Sequence, residues 1–282
     1  MKKTITQLLE YGRIQLNQDI FVEREEELSR IIMDIMNIHR YEISLAKNTE
    51  VTNKQYIRFK EIIQQRKTGK PLAYILGYSY FYQDKFPVSE QTLIPRYDTE
   101  ILVEAVRKHY SKEKSFRILD IGTGTGIIAL SLHRLFSHAI ITGIDIFDAP
   151  FKRSKKYLGI SSQNVQVEQK DFLDESLWQE LGKWDCIVSN PPYLDDNDMI
   201  LLDSHVKIFE PHTALYAEAD GMIFYKAIAK FAKKNLAKDG AIFLEIDHKH
   251  EKVSKLFPEN EFVNRELVDD LSGLPRVLIL KN

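Results

Sequence analysis

Cysteine is nearly absent. Cys186 is the only one in 282 residues, so no disulfide can form within the chain, and its place before Ile187 and Val188 reads as a small buried hydrophobe. No apolar run approaches the ~20 residues that a membrane helix needs. Behind the N-terminal lysines, Gln7, Glu10 and Arg13 interrupt what would have to be the apolar core of a signal peptide. Neither sign of charge dominates either: the formal net charge is −2, which argues against broad, nonspecific attraction to nucleic acid. Residues 1–85 carry 14 Lys/Arg against 11 Asp/Glu, and residues 86–282 carry 25 against 30, a split too small to make a phosphate-binding surface. These absences lead us to expect a soluble, reduced, cytoplasmic protein, without membrane contact and monomeric.

What is present divides the chain in two. With 44% hydrophobic and 28% charged residues, it can bury the core of one large domain or of two. Glycine occurs early only at Gly12, Gly69 and Gly77. Leu28, Ile31, Ile32, Ile35 and Met36 recur at helical spacing behind an acidic first turn, and Ile5, Leu8, Leu9 and Leu16 form a similar stripe, as do Tyr56, Phe59, Ile62 and Ile63. Residues 1–80 therefore read as a small helical bundle, whose last long helix stops at Thr68-Gly69-Lys70-Pro71. The aromatic, β-prone stretch Tyr80-Phe81-Tyr82, Phe86-Pro87-Val88 and Thr92-Leu93-Ile94-Pro95 reads as a β-hairpin linker over 81–98. Beyond residue 99, strands expected near 116–121, 139–145, 164–168, 184–189, 240–246 and 276–280 alternate with helices. That alternation predicts an α/β domain over 99–282, with a parallel sheet covered on both faces.

Two motifs carry chemistry. Asp120-Ile121-Gly122-Thr123-Gly124-Thr125-Gly126 follows the apolar run Phe116–Leu119 and precedes a helix-prone segment. Strand, glycine turn and helix open a nucleotide-binding unit, because missing Cβ atoms let the backbone touch a ligand. Its spacing is G-x-G-x-G, not the dinucleotide G-x-G-x-x-G. The leading Asp120 would repel a pyrophosphate but suits a ligand bearing an ammonium and a sulfonium, as S-adenosylmethionine does. Asp145, at the end of the next expected strand, can receive ribose hydroxyls, although an Asp there could equally cap a helix. Phe172, after Lys170-Asp171, is placed to cover an adenine with Asp171 near its amino group; it could also be a core aromatic.

The second motif is Asn190-Pro191-Pro192-Tyr193, directly after Asp185-Cys186-Ile187-Val188-Ser189. At about 5% usage per position, a given tetrapeptide arises by chance in such a chain on the order of once in a thousand. Its parts fit one task, the holding of a planar, conjugated NH2 group. The Asn190 side-chain oxygen can accept one N–H and the Pro191 carbonyl the other. Pro192 and Tyr193 shape a flat slot. The plainer alternative is a proline-stiffened turn.

With these residues the chain resembles the glutamine-N5 methyltransferases of peptide chain release factors, the HemK-type family, over nearly its whole length. Pro71-Leu72-Ala73-Tyr74-Ile75-Leu76-Gly77 and Leu93-Ile94-Pro95-Arg96, continuing through Asp98-Thr99-Glu100, look like that family's linker signature. Glu210-Pro211, Ala214-Leu215 and Asp220-Gly221 match its block after the NPPY tetrapeptide, and Pro275-Arg276-Val277 matches its ending. The resemblance implies an N-terminal helical substrate-docking domain and a Rossmann-like, seven-stranded methyltransferase domain. It also implies S-adenosyl-L-methionine as cofactor and the Gln of a release factor's Gly-Gly-Gln loop as substrate. Asn190, Pro191 and Tyr193 would then be catalytic, with Pro192 also in the substrate slot. Asp120, Gly122, Thr123, Gly124, Thr125, Gly126, Asp145, Asp171, Phe172 and Asn190 would hold the cofactor.

The chain departs from the family pattern at Tyr97, where a second proline is usual, at Phe147–Lys152, where Pro150 falls in a first helical turn, and at Glu245-Ile246-Asp247-His248-Lys249-His250. His248 and His250 make a poor metal site at this spacing beside Lys249, and no metal is expected; a surface loop is the better reading. The tetrapeptide alone also admits a ribosomal-protein glutamine, or adenine N6 in nucleic acid, as acceptor. Adenine would require base flipping and normally a basic recognition surface, which the front of this chain lacks. A paralogue that binds without catalysis is the remaining alternative.

Overall fold

The computed structural model describes residues 3–16 and 23–281; Lys2, one of the two N-terminal lysines, lies outside them. The chain forms two compact units, dividing between Gly77 and Tyr78.

In the first unit, β1 (Lys3–Thr4) leads into α1 (Ile5–Gln15), followed by α2 (Arg24–Met36), α3 (Arg40–Leu45), β2 (Glu50–Val51), α4 (Asn53–Lys67) and α5 (Leu72–Leu76). Thr4 and Thr52 start α1 and α4 with reciprocal caps, each side chain bonded to the backbone three residues on, at Gln7 and Gln55, whose side chains return the bond. The three helical stripes meet as expected: Ile5, Leu8, Leu28, Ile31, Ile32, Phe59, Ile62 and Ile63 are buried in one cluster. Arg66 makes a forked contact to Glu27, at 2.9 Å from Nε and 3.0 Å from Nη2, tying α4 to α2. The two-residue pairing of β1 with β2 and the short α3 and α5 were not legible in the sequence, being too brief to show a period.

The second unit opens with a hairpin of β3 (Tyr78–Phe81) and β4 (Asp84–Pro87), shorter than the aromatic stretch suggested. The chain leaves it by a turn in which the Thr92 hydroxyl donates to the Ser89 carbonyl and accepts from the Ser89 N–H, at 2.9 and 3.1 Å. This is why Thr92–Pro95 is not a strand. Then come α6 (Thr99–His109), β5 (Arg117–Ile121), α7 (Ile127–Leu135), β6 (Ile140–Asp145), α8 (Ala149–Tyr157), β7 (Val165–Gln169), α9 (Trp178–Leu181) and β8 (Trp184–Ser189). Short helices α10 (Asp196–Leu201), α11 (Ser204–Phe209) and α12 (Glu218–Gly221) precede α13 (Ile223–Asn235), β9 (Leu236–Glu245), α14 (His250–Ser254), β10 (Asn264–Asp269) and β11 (Pro275–Lys281).

Seven strands make one sheet, in the order β10-β11-β9-β8-β5-β6-β7, with β9 to β7 parallel and β11 and β10 antiparallel at one edge. Its α/β, Rossmann-like architecture is the expected one. Apolar side chains fill both faces: Ile118, Ile141, Val188 and Phe243 lie in one cluster, Leu119, Ile144, Ile187 and Leu244 in another. The strand β10 was missed in the sequence because it is polar and lies at the sheet edge, where only one neighbour imposes a pattern.

Close packing at the sheet's carboxyl edge depends on two glycines. Gly126 has φ +79°, and a Cβ there would sit 2.6 Å from the Phe151 ring. Gly143 lies in β6, where a Cβ would come within 2.7 Å of Thr123. Gly126→Ala should therefore cost roughly 1–3 kcal/mol, from overpacking and an unfavourable backbone conformation together. Denaturant melts read the loss directly, and an unchanged midpoint would show that Phe151 yields without cost.

Candidate active site

The sheet reverses its direction of winding between β5 and β8, and a crevice opens there beyond the carboxyl ends of the strands. Register places the chemistry along this edge. Ile121 pairs with Ile144 and with Ser189, and Ser189 pairs with Leu244. The next residue on each strand or loop is Gly122, Asp145, Asn190 or Glu245, so four chain segments deliver these residues in one row.

One cleft on this edge is lined by Gly122, Thr123, Gly124, Thr125, Asp145, Asp171, Phe172, Asn190 and Pro192 from the expected set. Ile127, Ile128, Ile144, Ile146, Phe147 and Pro150 give it apolar walls, and Leu93, Pro95, Lys170, Thr213 and Ala214 are among the other residues that border it. Gly122 and Gly124 have positive φ, and nothing lies within 4 Å of where a Cβ would stand, so the turn presents bare backbone. The Asp145 carboxylate is aimed by the Gly124 N–H at 2.8 Å and the Phe147 N–H at 3.0 Å, while desolvation raises its pKa. Each of its oxygens keeps acceptor capacity for a hydroxyl. Phe172 borders the cleft and also stacks on Trp178 at 5.6 Å within the core. An apolar slot with a few acceptors at one end fits an adenosine group.

Asp120, Gly126, Pro191 and Tyr193 are not among the residues lining this cleft. Asp120 stands fully buried behind the turn. Its Oδ2 accepts from the Thr123 hydroxyl at 2.6 Å and from the Ala129 N–H at 3.2 Å, and so locks the turn to the start of α7. Its Oδ1 is buried without a partner, and burial pushes its pKa up to about 7. Gly126 supplies room for packing, as described above.

The tetrapeptide is braced from several sides. The Asn190 side-chain nitrogen donates to the Thr99 hydroxyl at 3.1 Å. The Leu194 N–H donates to the Leu215 carbonyl at 3.0 Å, and the Ala217 N–H donates back to Leu194 at 2.9 Å. Gly221, at φ +77°, leaves room for the Tyr193 carbonyl, which a Cβ would approach to 2.0 Å. Ala219 and Asp220 share its left-handed conformation. The buried Glu210 carboxylate accepts from the Ile94 N–H at 3.2 Å and binds Arg96 at 2.6 Å, joining two separate signature segments.

Sequence reasoning missed Lys249 altogether. The segment 245–250 is a surface loop only in part: His248 is exposed, but Lys249 is buried and His250 begins α14. The Lys249 ammonium donates to the Tyr193 carbonyl at 3.0 Å and contacts Asp198 at 2.5 Å and Asp195 at 3.1 Å. Its backbone N–H bonds the Asp247 carboxylate at 2.9 Å, which gives the altered Asp a local role. Thr99 and Glu245 were quoted in motifs but not read as site residues. No local signal points to any of the three: the Lys249 ammonium reaches partners 51 and 56 residues away, Thr99 meets Asn190 across 91, and Glu245 lies far along the chain from Thr99.

Comparison with known proteins bears on the whole chain. Residues 7–77 match the family model described as the PrmC N-terminal domain, and residues 97–218 match the methyltransferase small domain. The chain is 34% identical over 273 residues to a release factor glutamine methyltransferase of Flavobacterium psychrophilum, covering 94% of this chain and 95% of that one. A protein of the same name from Fusobacterium nucleatum is 34% identical, over 94% of this chain and 78% of its own. One from Francisella tularensis is 32% identical, over 97% and 95%.

The buried Asp120 carries a prediction in the absence of any ligand. Its carboxyl titrates near 7 in the folded chain against an ordinary 3.8, so folding takes up a proton between those values. Its contribution to stability is therefore greatest at acid pH and declines as pH rises towards 7. Asp120→Asn should remove part of that decline in denaturant melts between pH 5 and pH 8, the buried Glu245 keeping its own share. A slope equal to that of the unaltered chain would mean that Asp120 is not the group responsible.

Proposed function

The chain belongs to the release factor glutamine methyltransferase family, and from that premise we propose that it methylates the side-chain amide nitrogen (N5) of the glutamine in a release factor's Gly-Gly-Gln loop. The observation that carries this reading is the placing of Asn190 on the shared strand edge, bordering the cleft that Gly122, Gly124 and Asp145 frame. That cleft would hold S-adenosyl-L-methionine: Asp145 would take the ribose hydroxyls, Phe172 and Asp171 the adenine, and the Gly122–Thr125 backbone the remainder. When bound, this cofactor supplies an electrophilic methyl group.

The chain's own task is to make a poor nucleophile react. An amide nitrogen shares its lone pair with the carbonyl, the same resonance that gives a rotation barrier of ~18–20 kcal/mol. Asn190 Oδ1 and the Pro191 carbonyl would accept the two N–H groups, aim the nitrogen and stabilise positive charge as it grows there. Pro192 and Tyr193 would close the slot against water. No general base is required before attack, because the extra proton becomes acidic only once the nitrogen carries a fourth bond. Two flanking glycines in the substrate would let its glutamine reach a recessed slot. An adenine N6 acceptor is disfavoured by the balanced charge of the chain.

Asn190→Ala should abolish methyl transfer while leaving the fold and most cofactor binding in place. Labelled cofactor is incubated separately with a release factor, its Gln→Ala variant, ribosomal proteins and DNA. Label surviving the Gln→Ala change, or appearing only on the other acceptors, would defeat the substrate assignment. Substantial turnover by Asn190→Ala would defeat the amide clamp.

The helical unit, read from the sequence as residues 1–80 and ending at Gly77 in the structure, is assigned to substrate docking, a reading supported by the match to the PrmC N-terminal domain. A chain lacking it should still bind cofactor but methylate whole release factor at least about tenfold more slowly, a loss of ~1.4 kcal/mol. Full-rate modification by that shortened chain would rule the docking role out.

A further inference from the structure

We propose that Thr99, braced by Glu245, is a positioning residue that fixes which end of the Asn190 side-chain amide faces the substrate; this deepens the reading of Asn190 as the amide acceptor and rests on it. Asn and Gln amides present an oxygen or a nitrogen to any partner, and a flip exchanges acceptor for donor. A clamp for an NH2 group works in only one of the two orientations.

Three groups from three elements, Thr99 and Glu245 buried and Asn190 partly so, decide the matter. Thr99 is the first residue of α6 and is wholly inaccessible. Glu245 ends β9 and is 3% exposed. Asn190 follows β8 and borders the cleft. The Asn190 Nδ2 donates to Thr99 Oγ1 at 3.1 Å, and the Glu245 carboxyl stands beside the same hydroxyl, which opposes the rise of its pKa. A hydroxyl has one proton and two lone pairs, and a carboxylate can only accept. The Thr99 proton is then assigned to Glu245, its acceptor-only neighbour, which leaves a lone pair facing Asn190. Only the nitrogen end of the amide satisfies that lone pair. With Nδ2 held in this way, Oδ1 is turned away from Thr99 and is free to accept a substrate N–H. The opposite flip would set two oxygen lone pairs against each other and leave the buried hydroxyl without its donor.

The chain of bonds also has a switch. A protonated Glu245 can donate to Thr99, whose own proton then becomes available to Asn190 Oδ1, and the amide is released to flip. Burial raises the Glu245 carboxyl to about 7, and its Oε2 has no hydrogen-bond partner. Arg276 of β11 and Arg96 of the linker oppose the rise, while Asp98 beside α6 adds to it. Tyr193 and Tyr225 also face this carboxyl from the NPPY turn and from α13. The productive orientation belongs to the ionised form, so acidification through the neutral range should disorder Asn190.

Thr99→Val keeps the side-chain shape and removes the hydroxyl; Thr99→Ser keeps the hydroxyl. Thr99→Val should lower kcat on a glutamine substrate by about tenfold to a hundredfold, with cofactor affinity unchanged, and Thr99→Ser should restore most of the rate. A structural role alone would not give that pairing. The second readout needs no substrate. The side-chain NH2 resonance of Asn190, assigned by its loss in Asn190→Ala, should shift with an apparent pKa near 7 in the unaltered chain and in Thr99→Ser. It should not shift in Thr99→Val or Glu245→Gln. Unaltered kcat in Thr99→Val, or an Asn190 resonance that titrates alike in all forms, overturns the proposal. If the unaltered chain methylates no glutamine, the functional reading fails, while the resonance still decides the orientation.

Discussion

The pairing of Ile121 with Ile144 on one side and with Ser189 on the other is the constraint from which the site follows. Because side chains alternate along a strand, a slip of one residue would turn Asp145 or Asn190 to the opposite face of the sheet. Register is secured by burial on both faces: Ile118, Leu119, Ile141, Ile144, Ile187 and Val188 cannot exchange faces without breaking two cores at once. The same strand, β5, thus indexes both halves of the chemistry. Its outgoing turn borders the cleft, and its neighbour β8 delivers Asn190, the proposed amide clamp, beside it. The antiparallel addition of β11 then places Arg276 next to the end of β9, since the Ile246 N–H bonds the Arg276 carbonyl at 2.9 Å. A single row of strand ends assembles what the linear sequence scatters over more than a hundred residues.

What was legible in the sequence was whatever is local. The glycine turn, the proline pair and the helical stripes each declare themselves within a few residues, because backbone geometry and periodicity act at that range. The parallel part of the sheet, covered on both faces, was legible too, since its strands alternate with helices; the antiparallel edge of β11 and β10 was not. The contacts that orient the motifs were not. Glu210 reaches back 116 residues to the Ile94 N–H, and Asn190 meets Thr99 across 91. Neither pairing has a periodic signature, and polar residues of these types are usually solvated. Asp120 shows a subtler limit. Its place at the head of a glycine turn suggests a ligand contact, but its bonds to Thr123 and Ala129 make it the group that shapes the turn.

The departures from the family pattern look different once their contacts are known. Pro150 enters α8 in its first turn, where a missing N–H breaks no helical bond, and Phe151 beside it packs on Gly126. In the 245–250 segment, Asp247 bonds the Lys249 backbone, and the Lys249 ammonium reaches the carbonyl that closes the tetrapeptide. Asp195 and Asp198 neutralise that buried ammonium from the first turn of α10; the backbone N–H of Asp198 and then Lys249 hold the Asp195 carboxyl down to about 2. In this chain the 245–250 segment thus supports the tetrapeptide directly. The departures give no reason to expect loss of catalysis, because Asn190, Pro191, Pro192 and Tyr193 and their strand are untouched.

Burying carboxyl groups beside a reactive site is an expensive way to hold it together, and an apolar core of equal volume would often be as stable. The gain must lie in direction. Hydrophobic contact can fix where Asn190 sits, but it is indifferent to which end of its amide points outward. Only a partner with a fixed sense of donation can choose, and a hydroxyl acquires that sense only from a third group that must accept. Glu245 is such a group when ionised, and its desolvation is the cost of making Thr99 directional. Asp120 fixes the cofactor turn in the same manner, with one carboxyl oxygen engaged and the other left bare. In both halves of the site, then, a buried acid one layer behind the surface stands behind the group proposed to meet the ligand.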